Sequence, residues 1–398
     1  MKDRILDVLI IGAGPAGGAL GYLLASRGLT VTVVEKAKDF HRQFRGEGLQ
    51  PSGLTCIEQM GLSEAFNAVP KHHFEMMRIH IEGKTYEFAG DGAVKIVNQP
   101  AMLDMFAAEA ARFEGFTLLR GCSFEQLLRE DGRVVGARVK DKAAGEQELR
   151  ARLVVGCDGR SSRAKRQSGL ESVSLNQRFD VLWLKAELGD FFPDTHTGWW
   201  ELAGQHSVLV YPSPAGKHQI GVVLAKGEAR ELPRSERLDW VISLVSEPLR
   251  EALQPARDSV DGPAVLKVIC ERLETWTTPG LLLLGDAAHA MSPVGGQGIN
   301  MALRDAVVAA NHLVPALQRG VSDGELDLAA AAVAAERLPE VAEVQSLQTK
   351  EGKRMEKPQL WLLRWLLPLM RRLGISPARM NRRRARMAAG LVEVKLAV

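Results

Sequence analysis

The segment DVLIIGAGPAG at residues 7–17, followed by TVTVVE at 30–35, constrains the fold more tightly than any other stretch of the chain. The unbroken apolar run at 7–11 is the pattern of a parallel strand covered on both faces, and the glycines directly after it end the strand in a tight turn. From 16 to 27 small and apolar residues recur at helical spacing, Gly28 closes the segment, and 30–35 reads as a second strand. Strand, glycine turn, helix and strand in that order make a βαβ unit of an α/β fold. Gly12 permits the turn, Gly14 lets backbone N–H groups approach a pyrophosphate, and Gly17 lets the helix pack closely on the strand. Glu35, with Lys36 beside it, ends the second strand where a ribose hydroxyl pair is accepted, and an acid there disfavours a 2′-phosphate.

Beyond this unit, 51–60 and 100–113 read as helices, 117–119 and 134–139 as strands, and 152–156 as a strand running into CDGRSS. From about 175 to 273 the pattern changes to alternating, aromatic-bearing segments such as SVLVYP and QIGVVLA, which suit an antiparallel sheet. The first style returns at Gly280 with LLLLGDAAH and a long helix over 299–317. The expected organisation is a discontinuous Rossmann-type domain over 1–70, 100–174 and 275–320. A mixed or antiparallel-sheet substrate domain is inserted as 71–99 and 175–274, and a helical segment over 321–398 closes the chain. That segment holds LWLLRWLLPLMRRLGI, a helix that Pro368 should kink, and then the basic RMNRRRARM.

The 51 basic and 48 acidic residues nearly cancel, so bulk charge argues for no nucleic-acid partner. Cys56, Cys122, Cys157 and Cys270 are far apart with no C-x-x-C pair, which argues against a disulfide framework or zinc site and for reduced thiols in a cytoplasmic protein. The N-terminal apolar run leads straight into glycines and reads as a strand rather than a signal peptide, and no segment is long and apolar enough to span a bilayer.

Two further motifs follow the glycine turn. VVGCDGRSS, 154–162, is a strand ending in an Asp-Gly turn; GDAAHAMSPVGGQGIN, 285–300, sets Asp286 after an apolar strand and glycines before a helix. Asp286 suits a ribityl hydroxyl. The helix start at Ile299 offers backbone N–H groups to a flavin edge or phosphate, and Gly296 and Gly298 leave space beside it.

In this order and spacing, the three motifs resemble the FAD-dependent aromatic hydroxylases of the p-hydroxybenzoate hydroxylase type, over roughly residues 5–320. The resemblance implies that the first glycines and Glu35 bind the ADP half of FAD, and that the Asp286 segment binds the riboflavin half. It implies that Asp158, Gly159 and Ser162 serve FAD and NAD(P)H, and that Pro293, Gly296, Gly298 and Asn300 lie beside the flavin. FRGEGLQPSG, 44–53, is similar to the family's loop with an FAD-contacting arginine, which falls on Arg45. The chain departs from the family where Lys165, with Arg166 beside it, replaces the usual arginine, and where Gln99 stands in place of another.

The implied reaction is hydroxylation of a hydrophobic aromatic small molecule: NAD(P)H reduces FAD, and O₂ then reacts through a flavin C4a-hydroperoxide. No metal or nucleophilic triad is required. The proton-transfer group is not identified by the sequence; His289 in the GD motif is one candidate, with bracing of the turn as the rival role, and His72 and His73 are weaker ones. Trp183, Trp199, Trp200 and Tyr211 lie in the alternating region. Trp199 and Trp200 point to opposite faces, so at most one lines a pocket, and Trp200 and Tyr211 are the substrate-binding candidates. For the C-terminal helices, surface packing, a cover over the substrate entrance, a dimer contact and peripheral membrane docking stay open. Three rivals share the fold: a halogenase, whose W-x-W-x-I-P segment is missing here; a reductase of isoprenoid double bonds, loosely matched by VYPSPAGKHQIGV; and a flavin-bound non-catalytic accessory protein.

Overall fold

The computed structural model describes residues 5–40, 46–90, 92–141, 144–192, 194–356, 360–375 and 382–398. The apolar runs form strands Leu6–Ile11, Val31–Glu35, Phe116–Arg120, the end of Gly145–Gly156, and Leu281–Leu283. They pair in parallel, in the order 281–283, 151–156, 6–11, 31–35, 116–120, with Thr277–Thr278 antiparallel at one edge. Val8, Leu9, Ile10, Leu153, Val154, Val155 and Leu281–Leu283 are fully buried, which is why these strands read as continuous apolar runs and not as alternations. Each such side chain contributes about 1.5–3 kcal/mol. Helices Pro15–Ala25 and Gly298–Gln318 pack together on this sheet. The long strand Gly145–Gly156 also continues outward into an antiparallel ribbon with Arg133–Asp141 and Cys122–Glu130.

A second sheet of seven strands has the order Asp261–Leu266, Phe179–Ala186, His218–Ala225, His206–Pro212, Thr197–Ala203, Met76–Ile81, Lys84–Ala89. One face carries Leu182, Leu184, Val208, Val210, Ile220, Val222 and Trp199, packed against helices Arg237–Leu244 and Glu247–Leu253. The other carries Trp183, Lys185, Gln219 and Tyr211 toward the parallel-sheet region, and Trp200 and Leu202 toward helix Leu360–Arg372. Strands Lys71–His73 and Lys95–Val97 do not join it; with Gly48–Leu49 they make a separate sheet of three strands.

Helix Asp323–Glu356, 34 residues long, has no counterpart in the sequence reading beyond a helical C-terminus. Its buried face mixes Leu326, Ala330, Val333 and Val344 with Arg337, Glu340, Gln345 and Gln348, so its apolar periodicity is broken by the groups it uses to grip the rest of the molecule. Gln345 Nε2 donates to the carbonyls of Glu271 (3.0 Å) and Ala290 (3.2 Å), and Gln348 Nε2 to those of Ser292 (2.9 Å) and Val294 (2.8 Å). These amides bind carbonyls of the buried loop at 290–294 and of the strand beside it, adding to the Glu271 N–H that Ala290 O also accepts (3.1 Å). Helix Leu360–Arg372 runs through Pro368 and lays Leu363, Leu366, Leu367 and Met370 on Ile79, Ile81, Phe88 and Leu202, leaving Trp365, Leu369 and Leu373 exposed. No helix among the described residues is long and apolar enough to cross a membrane.

Candidate active site

The N-terminal glycines behave as three different parts. Gly12 has φ +99°, and a Cβ there would lie 2.5 Å from the Cys157 carbonyl oxygen. A Cβ on Gly17 would lie 1.9 Å from the Gly12 oxygen, so only glycine lets this helix start against the strand. At Gly14 a Cβ would meet nothing within 4 Å: the backbone faces open space at the start of Pro15–Ala25, whose N-terminus has no side-chain cap. Glu35 is buried at the end of its strand, and its oxygens accept from the N–H groups of Ala13 (3.0 Å) and Ala37 (2.8 Å). Lys36 is exposed beside it, and Arg45 lies outside the described residues.

The DG turn abuts this loop. Asp158 Oδ2 accepts from Arg163 N (2.7 Å) and Ala164 N (3.1 Å), starting helix Arg163–Ser168, while Asp158 Oδ1 is buried without a partner among the described residues. Gly159 takes φ +79°, and fully buried Ser162 caps the helix by accepting from Lys165 N (2.8 Å). Lys165 is committed to an ion pair with Glu271, and exposed Arg166 donates to the Ser161 carbonyl (2.8 Å).

Arg160 carries the arc onward, its Nε 3.4 Å from Asp286 Oδ2. Burial raises the Asp286 carboxyl pKa above its ordinary value, against the opposing pull of Arg160. Asp286 Oδ1 lies 3.9 Å from the Cβ position of Gly298, the first residue of helix Gly298–Gln318, whose N-terminus also lacks a side-chain cap. Pro293 and Gly296 are exposed there, Ile299 and Asn300 buried. Asn300 is a staple: its Oδ1 accepts from Gln50 N (2.7 Å), and its Nδ2 donates to the Gly296 (2.8 Å) and Gly48 (3.4 Å) carbonyls. Gln50 Nε2 returns the link, donating to the Gly295 carbonyl at 3.0 Å. Gln99 is buried at the start of helix Gln99–Ala110 and joins no contact of this arc described above.

The loop held by Asn300 brings up Glu47, a residue within the quoted FRGEGLQPSG segment whose role the sequence did not disclose. Glu47 is 4% exposed; its Oε1 accepts from Gln219 Nε2 (2.6 Å) and Ser213 Oγ (3.1 Å), and Lys185 Nζ lies 3.7 Å away. Burial raises the Glu47 pKa, and burial reinforced by Glu47 holds the Tyr211 hydroxyl well above the ordinary tyrosine value. Tyr211 meets Phe74 and Trp183 edge-on, at 6.0 and 6.5 Å between ring centroids, and Trp183 Nε1 donates to Gln219 Oε1. Of the two substrate-binding candidates, Tyr211 is part of this cluster. Trp200, on the same sheet face, donates to Ser207 Oγ (2.6 Å) and is covered by the Leu360–Arg372 helix; Trp199 lies on the opposite face, stacked on His80 at 5.3 Å.

His289 faces inward. It is 1% exposed, packs on Trp276 at 5.0 Å between ring centroids, and pairs through Nε2 with Asp305 Oδ2 at 2.6 Å. Asp305 also accepts from Gly285 N (3.1 Å) and Arg337 Nε (2.8 Å); burial alone would raise its pKa, but His289 and Arg337 outweigh that and hold it at about 2. Arg337 and Arg304 both pair with Glu340, which in turn accepts from Leu391 N at 2.9 Å. This arrangement braces the GD turn against two helices, Gly298–Gln318 and Asp323–Glu356, and against the C-terminal strap 390–398. His73 pairs with Glu75 (2.7 Å) beside the His196 ring, and His72 precedes it in the same strand, Lys71–His73.

The open side of Gly14 and the uncapped start of Gly298–Gln318 fit the diphosphate and the electron-rich ring of an elongated cofactor, and Asp158 Oδ1, unpartnered among the described residues, fits a hydroxyl or N–H donor on it. These features define a FAD-binding flavoprotein. A family model described as FAD binding domain matches residues 5–343. The 6-methylpretetramide 4-monooxygenase of Streptomyces rimosus is 32% identical over 368 residues, covering 88% of this chain and 84% of that enzyme. Squalene epoxidase 1 of Arabidopsis thaliana is 26% identical over 332 residues, 81% of this chain, which spans 61% of that longer protein. Among solved structures, p-nitrophenol 4-monooxygenase from Pseudomonas putida superposes with a TM-score of 0.78 at 16% identity, covering 99% of this chain and 100% of that one. The probable FAD-dependent monooxygenase PqsL from Pseudomonas aeruginosa does so with a TM-score of 0.72 at 24% identity, covering 90% of this chain and 98% of that one. The chain belongs to the FAD-dependent aromatic hydroxylase family and is a FAD-dependent monooxygenase, which removes the non-catalytic accessory protein from the alternatives.

Proposed function

We propose that this enzyme hydroxylates a hydrophobic aromatic small molecule, consuming NAD(P)H and O₂. The observation that carries the reading is the Asn300 staple, which sets the Glu47–Tyr211 cluster of the second sheet against the glycine turn at the start of the Gly298–Gln318 helix. The relative at 32% identity, named as a monooxygenase of 6-methylpretetramide, and the superposed p-nitrophenol 4-monooxygenase support a ring substrate. Gly12, Gly14, Gly17 and Glu35 would hold the ADP half of FAD, and Asp158 and Asp286 the remainder. Bound FAD supplies the electron transfer and the O₂ chemistry. The chain's own residues orient the ring between Phe74, Trp183 and Tyr211, exclude water from a buried site and hold the flavin-side turn rigid through Gln345 and Gln348.

The test is anaerobic reduction of the FAD-loaded protein by NADH and NADPH, with and without a panel of phenols, followed by admission of O₂. Ligand-accelerated flavin reduction and an oxygenated ring support the reading. A reduced flavin that yields only peroxide with every phenol, while an isoprenoid double bond becomes saturated, replaces it with the reductase alternative.

A further inference from the structure

We propose that Glu47 forms a subsite for the hydroxyl group of a phenolic substrate, its free carboxylate oxygen Oε2 accepting that hydroxyl's hydrogen bond and then its proton. The inference rests on the hydroxylase reading and names the substrate class for it.

The two carboxylate oxygens have different surroundings. Oε1 is saturated by Gln219 Nε2 at 2.6 Å and Ser213 Oγ at 3.1 Å, with the Lys185 ammonium 3.7 Å away. Oε2 is buried and has no hydrogen-bond partner among the described residues. An ionised carboxylate offers about four acceptor positions, and a buried oxygen left bare is unfavourable. Gln219 is itself fixed, because its Oε1 accepts from Trp183 Nε1 and so its NH₂ must face Glu47. The protein therefore holds one side of the carboxylate rigidly and leaves the other for a donor from outside the chain.

The surroundings select which donor. Lys185 already provides a cation, so a second is unfavourable, whereas a neutral O–H is not. The neighbouring aromatic rings are Tyr211, Trp183 and, beyond Tyr211, Phe74, which suit the face and edges of a planar ring. Among the described residues, the charged and titratable groups facing Glu47 are Lys185 and Tyr211. Burial makes Glu47 a stronger base than an exposed carboxylate, which narrows the gap to a phenol but leaves an aliphatic alcohol out of reach. In the transfer the phenol O–H bond breaks, an O–H bond forms at Glu47 Oε2, and the electron pair stays on the phenolate oxygen, enriching the ring; the proton returns when product leaves.

The FAD-loaded oxidised protein is titrated with 4-nitrophenol and with its methyl ether, 4-nitroanisole, by difference absorption, for the wild type and Glu47→Gln. The wild type should bind the phenol roughly ten- to a hundredfold more tightly than the ether, the range expected of a hydrogen bond to a charged group. Its bound phenol should show the phenolate band at a pH where the free probe is neutral. Glu47→Gln, with FAD content unchanged, should bind the two nearly equally and keep the phenol neutral. Equal binding of phenol and ether by the wild type, or a phenolate band that survives Glu47→Gln, overturns the subsite even if aromatic products form in turnover. A Glu47-dependent phenol preference without any oxygenated product leaves the subsite standing and removes the hydroxylase reading. Failure of the wild type to bind either probe overturns both.

Discussion

Replacing Asp305 with Asn tests the buried charge network behind the GD turn. Asp305 is fully buried and receives Gly285 N–H, His289 Nε2 and Arg337 Nε. Asn keeps one oxygen but turns an NH₂ toward a donor and removes the counter-charge of Arg337, leaving Glu340 as its remaining carboxylate partner. Removing one member of such a buried set costs about 3–5 kcal/mol. With a slope of about 3 kcal/mol per molar urea, the unfolding midpoint of the FAD-loaded protein should fall by about 1 M at neutral pH. The pH dependence has a definite sign. A carboxyl held at about 2 instead of its ordinary 3.8 contributes about 2 kcal/mol that is fully present above pH 4 and is lost as pH falls toward 2. The difference between wild type and Asp305→Asn should therefore shrink by about 2 kcal/mol as pH falls from about 4 toward 2. The assay is urea unfolding followed by far-UV circular dichroism and flavin fluorescence, stepped down from pH 7. An unchanged midpoint, or a difference that widens in acid, refutes the reasoning.

Gly14→Val should leave the apoprotein folded, because its Cβ position has no neighbour within 4 Å, yet yield largely FAD-free protein; normal flavin content in the purified variant removes this loop from the site. Gly17→Ala should instead reduce folded yield, since its Cβ would sit 1.9 Å from the Gly12 oxygen, and a stable Gly17→Ala protein contradicts the close helix–strand packing. Asp286→Ala should weaken FAD binding by about tenfold, the scale of one lost charge-assisted hydrogen bond, with an unchanged circular dichroism spectrum; an unaltered dissociation constant excludes Asp286 as a ligand. Deleting 390–398 strips Glu340 of the Leu391 and Val392 N–H groups and Arg304 of the Val392 carbonyl, so the melting temperature should drop; an equally stable truncation shows the strap to be passive.

The features legible in the sequence are those written locally. The βαβ unit at 6–35 and the GD segment before the 298–318 helix declare themselves because strand, turn and helix signals follow one another within a few residues, and buried parallel strands are apolar without interruption. Glu47 could not be read this way, because its meaning depends on Ser213 and Gln219, which are 166 and 172 residues away in the chain. The Asp323–Glu356 helix was hidden by its own function: Arg337, Glu340, Gln345 and Gln348 occupy the buried face where periodicity expects apolar side chains. Alternation correctly put Trp199 and Trp200 on opposite faces, but no local pattern tells that the C-terminal helix covers Trp200 while Tyr211, on the same face, adjoins Glu47. The small sheet joining 48–49, 71–73 and 95–97 was likewise invisible, since strands of two or three residues carry no period.

The most direct test of the central claim is turnover of the FAD-loaded enzyme with NADPH or NADH, a phenolic substrate and ¹⁸O₂, read by mass spectrometry. The account predicts a ring-hydroxylated product carrying one ¹⁸O atom from the gas, with formation falling sharply in Glu47→Gln. Nicotinamide consumption matched entirely by hydrogen peroxide across the aromatic panel, with no labelled product, contradicts it.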